Sequence, residues 1–187
     1  MDERAAPGEL ELVRAFVNTL DIDQGTEELA SPAGLRRWLV ANHLASRHVE
    51  VGDVEIRRAV ALREAFRAML LSNNGGPPDP HALDVMNAEA ARTRPVIRFD
   101  RSEGTIEGRA DHVDGALGML LGIVFTSMAR GTWSRLKVCE NDACRWAVYD
   151  HSKNRSKRWC SMSECGGRAK AREYWRRQRR STTGATG

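Results

Sequence analysis

A mainly α fold with small β-hairpins, ending in a short cysteine-tied module, is what this sequence predicts, and three observations predict it. Apolar residues recur at three- and four-residue steps through most of the first 134 positions, the period of helices that bury one face. That period breaks near residues 96–107 and 136–149 into short runs of the kind that pair as hairpins. All four cysteines of the 187-residue chain lie between Cys139 and Cys165, and the other 160 positions hold none.

The helices follow in order. Leu10, Val13, Phe16, Val17 and Leu20 give the first a single apolar face. Ser31-Pro32 combines an N-capping side chain with proline at the first helical position, and opens a helix that buries Leu35, Trp38 and Leu39. Asp53 starts the longest helix, with Ala59, Leu62, Phe66, Met69 and Leu70 inward, and Asn73-Asn74-Gly75-Gly76-Pro77-Pro78 ends it as a loop. Asp79-Pro80 repeats the cap-plus-proline signal before a helix carrying Leu83, Val85, Met86 and Ala90. Val96–Phe99 and Thr105–Gly108 then read as a hairpin turning at Ser102-Glu103-Gly104. Val113–Ala129 is apolar on nearly every side and is expected as the central buried helix, with Gly115, Gly118 and Gly122 allowing close approach. Gly131-Thr132 ends it, and a domain boundary is expected near Ser134, dividing residues 1–134 from 135–187. Ser181–Gly187 reads as a small polar tail.

Composition narrows the function classes. Met1–Glu11 is acidic and polar, unlike a secretory signal, and the longest apolar run, Gly115–Phe125, has 11 residues and is too short to span a bilayer. The chain is therefore expected to be soluble and cytoplasmic, with no membrane partner, in a compartment where thiols stay reduced. From Arg135 onward there are 14 Lys and Arg against 5 Asp and Glu, a net of +9, while the first 134 residues carry 15 against 20, a net of −5. An acidic body joined to a basic module suggests that the module meets a polyanion.

The cysteines carry the sharpest signal. Four residues separate Cys139 from Cys144 and Cys160 from Cys165, with fifteen between the pairs. Two close pairs joined by a loop offer four thiolates to one tetrahedral zinc ion; disulfides or unrelated buried thiols are the alternatives. Four protein ligands leave no open position, so the zinc is expected to be structural. Leu136-Lys137-Val138 and Trp146-Ala147-Val148-Tyr149 suit a hairpin with the first pair at its turn. Five residues of α-helix advance about 500°, leaving side chains roughly 140° apart. Cys160 is thus expected just before a helix and Cys165 in its first turn or a short preceding bend, a treble-clef-like finger.

Two basic segments flank the second pair. Asp150–Arg158 is expected as an exposed loop, and it carries Lys153, Arg155, Lys157 and Arg158. On the final helix Arg168, Arg172, Arg176, Arg179 and Arg180 share roughly 120° of one face. Ala171, Tyr174 and Trp175 share an adjoining face and are expected to pack under the hairpin. A solvated charged helix is the bland alternative. The density of Arg and Lys, with Ser and Asn as further phosphate donors, fits a nucleic-acid footprint of Lys153, Arg155, Lys157, Arg158, Arg168, Lys170, Arg172 and Arg176.

Cys144-Arg145-Trp146, Tyr149-Asp150, the run from Ser152 to Met162, and Cys165-Gly166-Gly167-Arg168-Ala169-Lys170 together resemble the CGNR zinc-finger family. Phe16-Val17-Asn18-Thr19-Leu20 resembles the motif that opens the ABATE domain, the usual N-terminal companion of that finger. Gly167 stands where the family has Asn. The resemblance implies a bacterial transcription regulator that binds DNA through the finger, with an N-terminal domain for effector sensing or homodimerisation.

The five histidines are scattered, and none pairs with an acid at catalytic spacing; His151 lies nearest the cysteines as an alternative ligand. Asn18-Thr19 interrupts an apolar face, which fits either a buried Asn satisfied by neighbouring backbone or a polar anchor for a small-molecule effector. No phosphate loop, nucleophile elbow or metalloprotease motif occurs, so no enzyme activity is expected. Two rival readings remain: a thiol-zinc redox sensor, and a ligand-binding protein whose finger docks protein or RNA.

Overall fold

Six helices and three small antiparallel hairpins make up the computed structural model, which describes residues 3–99, 101, 104–107 and 112–183. The order is α1 (Leu10–Val17), β1 (Leu20–Asp21), β2 (Thr26–Glu27), α2 (Pro32–Ala41), α3 (Asp53–Asn73), α4 (Pro80–Thr93), β3 (Val96–Phe99), β4 (Gly104–Glu107), α5 (Val113–Ala129), β5 (Leu136–Val138), β6 (Ala147–Tyr149) and α6 (Gly167–Thr183). Ser102 and Glu103, expected in the turn between β3 and β4, lie outside the described residues, as does the tail from residue 184.

The helix starts are set locally. Ser31 Oγ accepts from the Gly34 N–H at 3.1 Å, and Asp79 Oδ1 accepts from His81 N at 3.0 Å, so both cap-plus-proline signals act as read. Gly34 admits no side chain, because a Cβ there would stand 2.2 Å from the Glu28 carbonyl oxygen. α5 is buried along most of its length, and Gly118 meets Thr93 at the end of α4. Phe16 of α1 packs on Trp38 and Phe66, with ring centroids 5.2 and 6.1 Å away. Arg58 of α3 ties α4 and α5 together through Glu89 and through Asp114 at 2.7 Å.

The β5–β6 hairpin separates two cores. Successive side chains on a strand point to opposite faces. Leu136, Val138, Ala147 and Tyr149 join the apolar cluster of the helices, while Val148 joins the four cysteines, flanked by Trp146 and Trp159. The helical core therefore runs past Ser134 and takes in one face of the cysteine module.

α6 departs from expectation. Its main contact is with the turn that precedes it, and Tyr174 and Trp175 are 57% and 62% exposed rather than packed under the hairpin. A shared helical face says which side chains lie together; it does not supply a surface for them to pack on.

Candidate metal centre and basic surface

The chain reaches the first cysteine pair at the end of the hairpin. Cys139 N donates to Trp146 O at 2.9 Å, extending the ladder by one bond. The chain then turns so that Cys144 N and Arg145 N both donate to Asn141 O, with Arg145 at a left-handed φ of 51°. The second pair is placed by a π-turn over Met162–Gly166, closed by Gly166 N donating to Ser161 O five residues back. An α-turn would splay two cysteines five apart; this wider turn brings Cys165 back toward the side of Cys160. Gly166 is needed at its end, because a Cβ there would meet Met162 Sδ at 2.8 Å and Trp159 Cδ1 at 3.2 Å.

All four Sγ atoms lie within 4.8 Å of one another and all four residues are buried. Cys144 and Cys160 Sγ are 3.6 Å apart. A disulfide needs about 2.05 Å; a tetrahedron with Zn–S bonds of ~2.3 Å has edges of about 3.8 Å. The donors are thus positioned to bind one zinc ion, with all four positions filled by the protein. Among the thiols themselves, hydrogen bonds from Cys144 and then Cys160 draw the Cys139 thiol down. Hydrogen bonding to Cys139 pushes Cys144 and Cys160 up. Only a cation lets all four thiols ionise together. Cys165 Sγ has two further neighbours, Asn141 Nδ2 at 3.5 Å and Arg168 Nη2 at 3.7 Å. His151 is not a ligand here: its Nε2 bonds the Ala5 carbonyl at 2.8 Å.

The finger's inner side is held by the helices. Asn18 Nδ2 donates to Ala147 O at 3.0 Å and Asn18 Oδ1 accepts from Ala147 N at 2.7 Å, as a strand neighbour would. Thr19 Oγ1 donates to Phe16 O and accepts from the buried Arg63. The polar atoms of both residues are thus engaged within the chain. Arg67 of α3 donates to Arg145 O (2.9 Å), Val17 O (2.7 Å) and Leu20 O (3.3 Å), linking the cysteine turn to the end of α1. Asn73 Nδ2 reaches Trp133 O and Leu136 O, and Asn74 Nδ2 reaches Val138 O and Arg158 O.

The basic loop is built on a buried ion pair that sequence reasoning missed. Asp150, expected on an exposed loop, is fully buried, and Lys137 is 5% exposed; Nζ and Oδ2 are 2.8 Å apart. Asp150 also accepts from Ser152 N, Ser152 Oγ and Lys157 N, and Lys137 Nζ donates to Arg155 O at 2.6 Å. Burial alone would raise the Asp150 pKa, but Lys137 and these donors outweigh it and hold the carboxyl below its usual range. Strand β5 (Leu136–Val138) hid the pair, since an alternating strand gives no sign of a lysine turned inward.

The eight expected nucleic-acid residues divide. Arg168 is spent on Asp23 of the β1–β2 turn, with two bonds of 3.1 and 3.2 Å that raise the Arg168 pKa and lower that of Asp23. Arg158 pairs with Glu140 and lies over the Trp159 ring, 5.4 Å from its centroid. Lys153, Arg155, Lys157, Lys170, Arg172 and Arg176 have no carboxylate partner among the described residues, and only Lys157 of these six is partly covered. Side chains on α6 are described as far as Arg176, so those of Arg179 and Arg180 fall outside. An open cleft of about 1070 Å³ lies beside the loop, lined by Arg4, Ser152, Ser156, Lys157, Trp159 and Met162 among others.

Two family profiles match the chain. The ABATE profile, described as "Putative stress-induced transcription regulator", matches residues 10–132, and the CGNR zinc finger profile matches residues 135–178. Neither is an enzyme family. No curated protein matches the chain. No helix among the described residues is long and apolar enough to cross a membrane.

Proposed function

The chain belongs to the ABATE family and carries a CGNR zinc finger, and from that premise we propose that it is a transcription regulator that binds DNA through the outer side of the finger. One observation carries the reading: six exposed or partly covered cations on one loop and one helix have no carboxylate partner among the described residues, although the body is acidic. Cations next to available carboxylates pair with them, as Arg158 and Arg168 do. Those left over in two segments joined to one zinc site fit a partner that brings its own negative charge, and a phosphate backbone does so at regular spacing. The Lys137–Asp150 pair anchors the loop, and a zinc ion held by the four cysteines would tie it to the start of the helix.

Four to six phosphate contacts give a slope of log K against log salt of about −4 to −5. Fluorescence anisotropy with labelled genomic fragments, from 50 to 300 mM salt, measures it. The reading expects that slope and its loss on chelation of zinc. A zinc-loaded protein with no measurable DNA affinity at 50 mM salt would overturn it.

A further inference from the structure

Exposed aromatic residues on a projecting helix need a reason. A soluble helix normally turns large rings inward or does without them. On α6, Tyr174 and Trp175 are both more than half exposed, and their rings meet edge to face with centroids 5.5 Å apart. At 100° per residue they share about 100° of the helix with Ala171, next to the face that holds Arg172 and Arg176. Lys170, Arg172 and Arg176 are exposed beside them and have no carboxylate partner among the described residues. Unspent cations surround the ring pair, so a partner must offer negative charge and flat apolar surface together.

Nucleic acid with unpaired bases offers both. Duplex DNA hides its base faces in the stack and presents only edges and phosphates, which gives Tyr174 and Trp175 nothing to cover them. A single strand presents phosphates to Arg172 and Arg176 and open base faces to the rings. The same combination recurs by the loop, where Trp159, half-buried under Arg158, lines the cleft with Ser152, Ser156 and Lys157. We propose that the Tyr174–Trp175 pair is a base-stacking platform, and that the finger's basic surface binds single-stranded nucleic acid as well as duplex. This rests on the nucleic-acid reading above and deepens it by naming the strand state.

The test uses the full-length, zinc-loaded protein and three fluorescein-labelled probes: dT20, rU20 and a 20-bp duplex of mixed sequence. Trp175→Ala and the double variant Tyr174→Ala/Trp175→Ala should weaken single-strand binding about tenfold or more. They should leave duplex affinity, zinc content and the thermal midpoint unchanged. Trp175→Phe, which keeps a flat ring, should restore most of the loss. The ratio of dT20 to rU20 affinity tells DNA from RNA as the source of the strand.

Single-strand affinity unchanged in the double variant would overturn the proposal. So would an equal loss on duplex and single strand, which would make the rings a support for the helix in a groove. A shift from dimer to monomer in light scattering, with binding untouched, would instead assign the rings to a contact between two copies. Arg172→Ala/Arg176→Ala separates the two levels. Binding to every probe unchanged in that variant sinks the nucleic-acid reading itself, whereas loss there with inert aromatic variants sinks only the stacking.

Discussion

The two sides of the zinc finger spend their polar groups in opposite ways. On the inner side polar side chains are spent largely on backbone: Asn18 on Ala147, Arg67 on three carbonyls, Asn73 and Asn74 on the hairpin and Arg158. On the outer side Lys153, Lys170, Arg172 and Arg176 are exposed, and none has a carboxylate partner among the described residues. A buried group that loses its partner costs more than an exposed one, because the orphan is kept from water. The inner side should therefore answer to mutation in stability and the outer side in binding. The difference teaches that charge alone does not single out a candidate interface; unspent charge is the sharper criterion.

The comparison breaks most easily at the metal. Structural zinc contributes ~10–16 kcal/mol of apparent binding free energy in finger peptides at neutral pH. Because Leu136, Val138, Ala147 and Tyr149 belong to the helical core, its removal should not stop at the finger. Chelation of the reduced protein should lower the unfolding temperature of the whole chain, seen as lost helical circular dichroism at 222 nm. An unchanged helical transition would show that the two parts are energetically separate.

Arg67→Ala comes next. It deprives the carbonyls of Val17, Leu20 and Arg145 of a donor and leaves Glu64 without its Arg67 contact. Each buried carbonyl left without its donor costs about 1–3 kcal/mol, readable as a shifted urea midpoint. Asp150→Asn belongs to the same class, since it leaves buried Lys137 facing a neutral group. Its pH dependence has a fixed sign. The folded Asp150 pKa is lowered, so its stabilisation is present above the unfolded value of about 3.9 and lost as pH falls below it. The stability gap between wild type and Asp150→Asn should be flat from pH 5 to 8 and narrow below about pH 4. A gap that widened toward acid would reverse the assignment.

Asn18→Ala should cost about 1–3 kcal/mol for the buried Ala147 groups it strands. Asn18→Asp, which loses the donor and sets a buried carboxylate against the Ala147 carbonyl, should cost more. The smallest effect is expected at Gly167. Its φ of −62° and ψ of −47° are ordinary helix, and a Cβ there would stand 3.6 Å from Met162 O, a normal contact. Gly167→Asn, which restores the family residue, should shift stability by no more than about 0.5 kcal/mol. A large loss on differential scanning calorimetry would mean that the glycine is required after all.

These contrasts also mark where sequence reading succeeds. Ser31-Pro32 and Asp79-Pro80 were legible because a cap is satisfied within three residues of itself. The zinc ligands were legible because spacing carries the geometry, and the α-helical angle argument required the bend that the π-turn over Met162–Gly166 supplies. Asn18, Arg67 and the Lys137–Asp150 pair were illegible in role, since their partners lie 13 to 129 residues away and nothing local names them. Asn18-Thr19 stood out as polar residues on an apolar face, but an anchor for a ligand and an anchor for Ala147 look alike in sequence. In sequence Arg158 and Arg168 read as free cations, because Glu140 and Asp23 come beside them only in the fold.

The most direct test of the division between the two sides removes the unspent cations together. The variant Lys153→Ala/Lys170→Ala/Arg172→Ala/Arg176→Ala is compared with wild type in duplex binding across salt and in thermal unfolding, both zinc-loaded. Each lost phosphate contact should flatten the slope of log K against log salt by about 0.9. The account predicts a slope reduced by about three or more and an unfolding temperature unchanged within about 2 °C. An unchanged slope, or a fall in stability as large as that of Asn18→Ala, would contradict it.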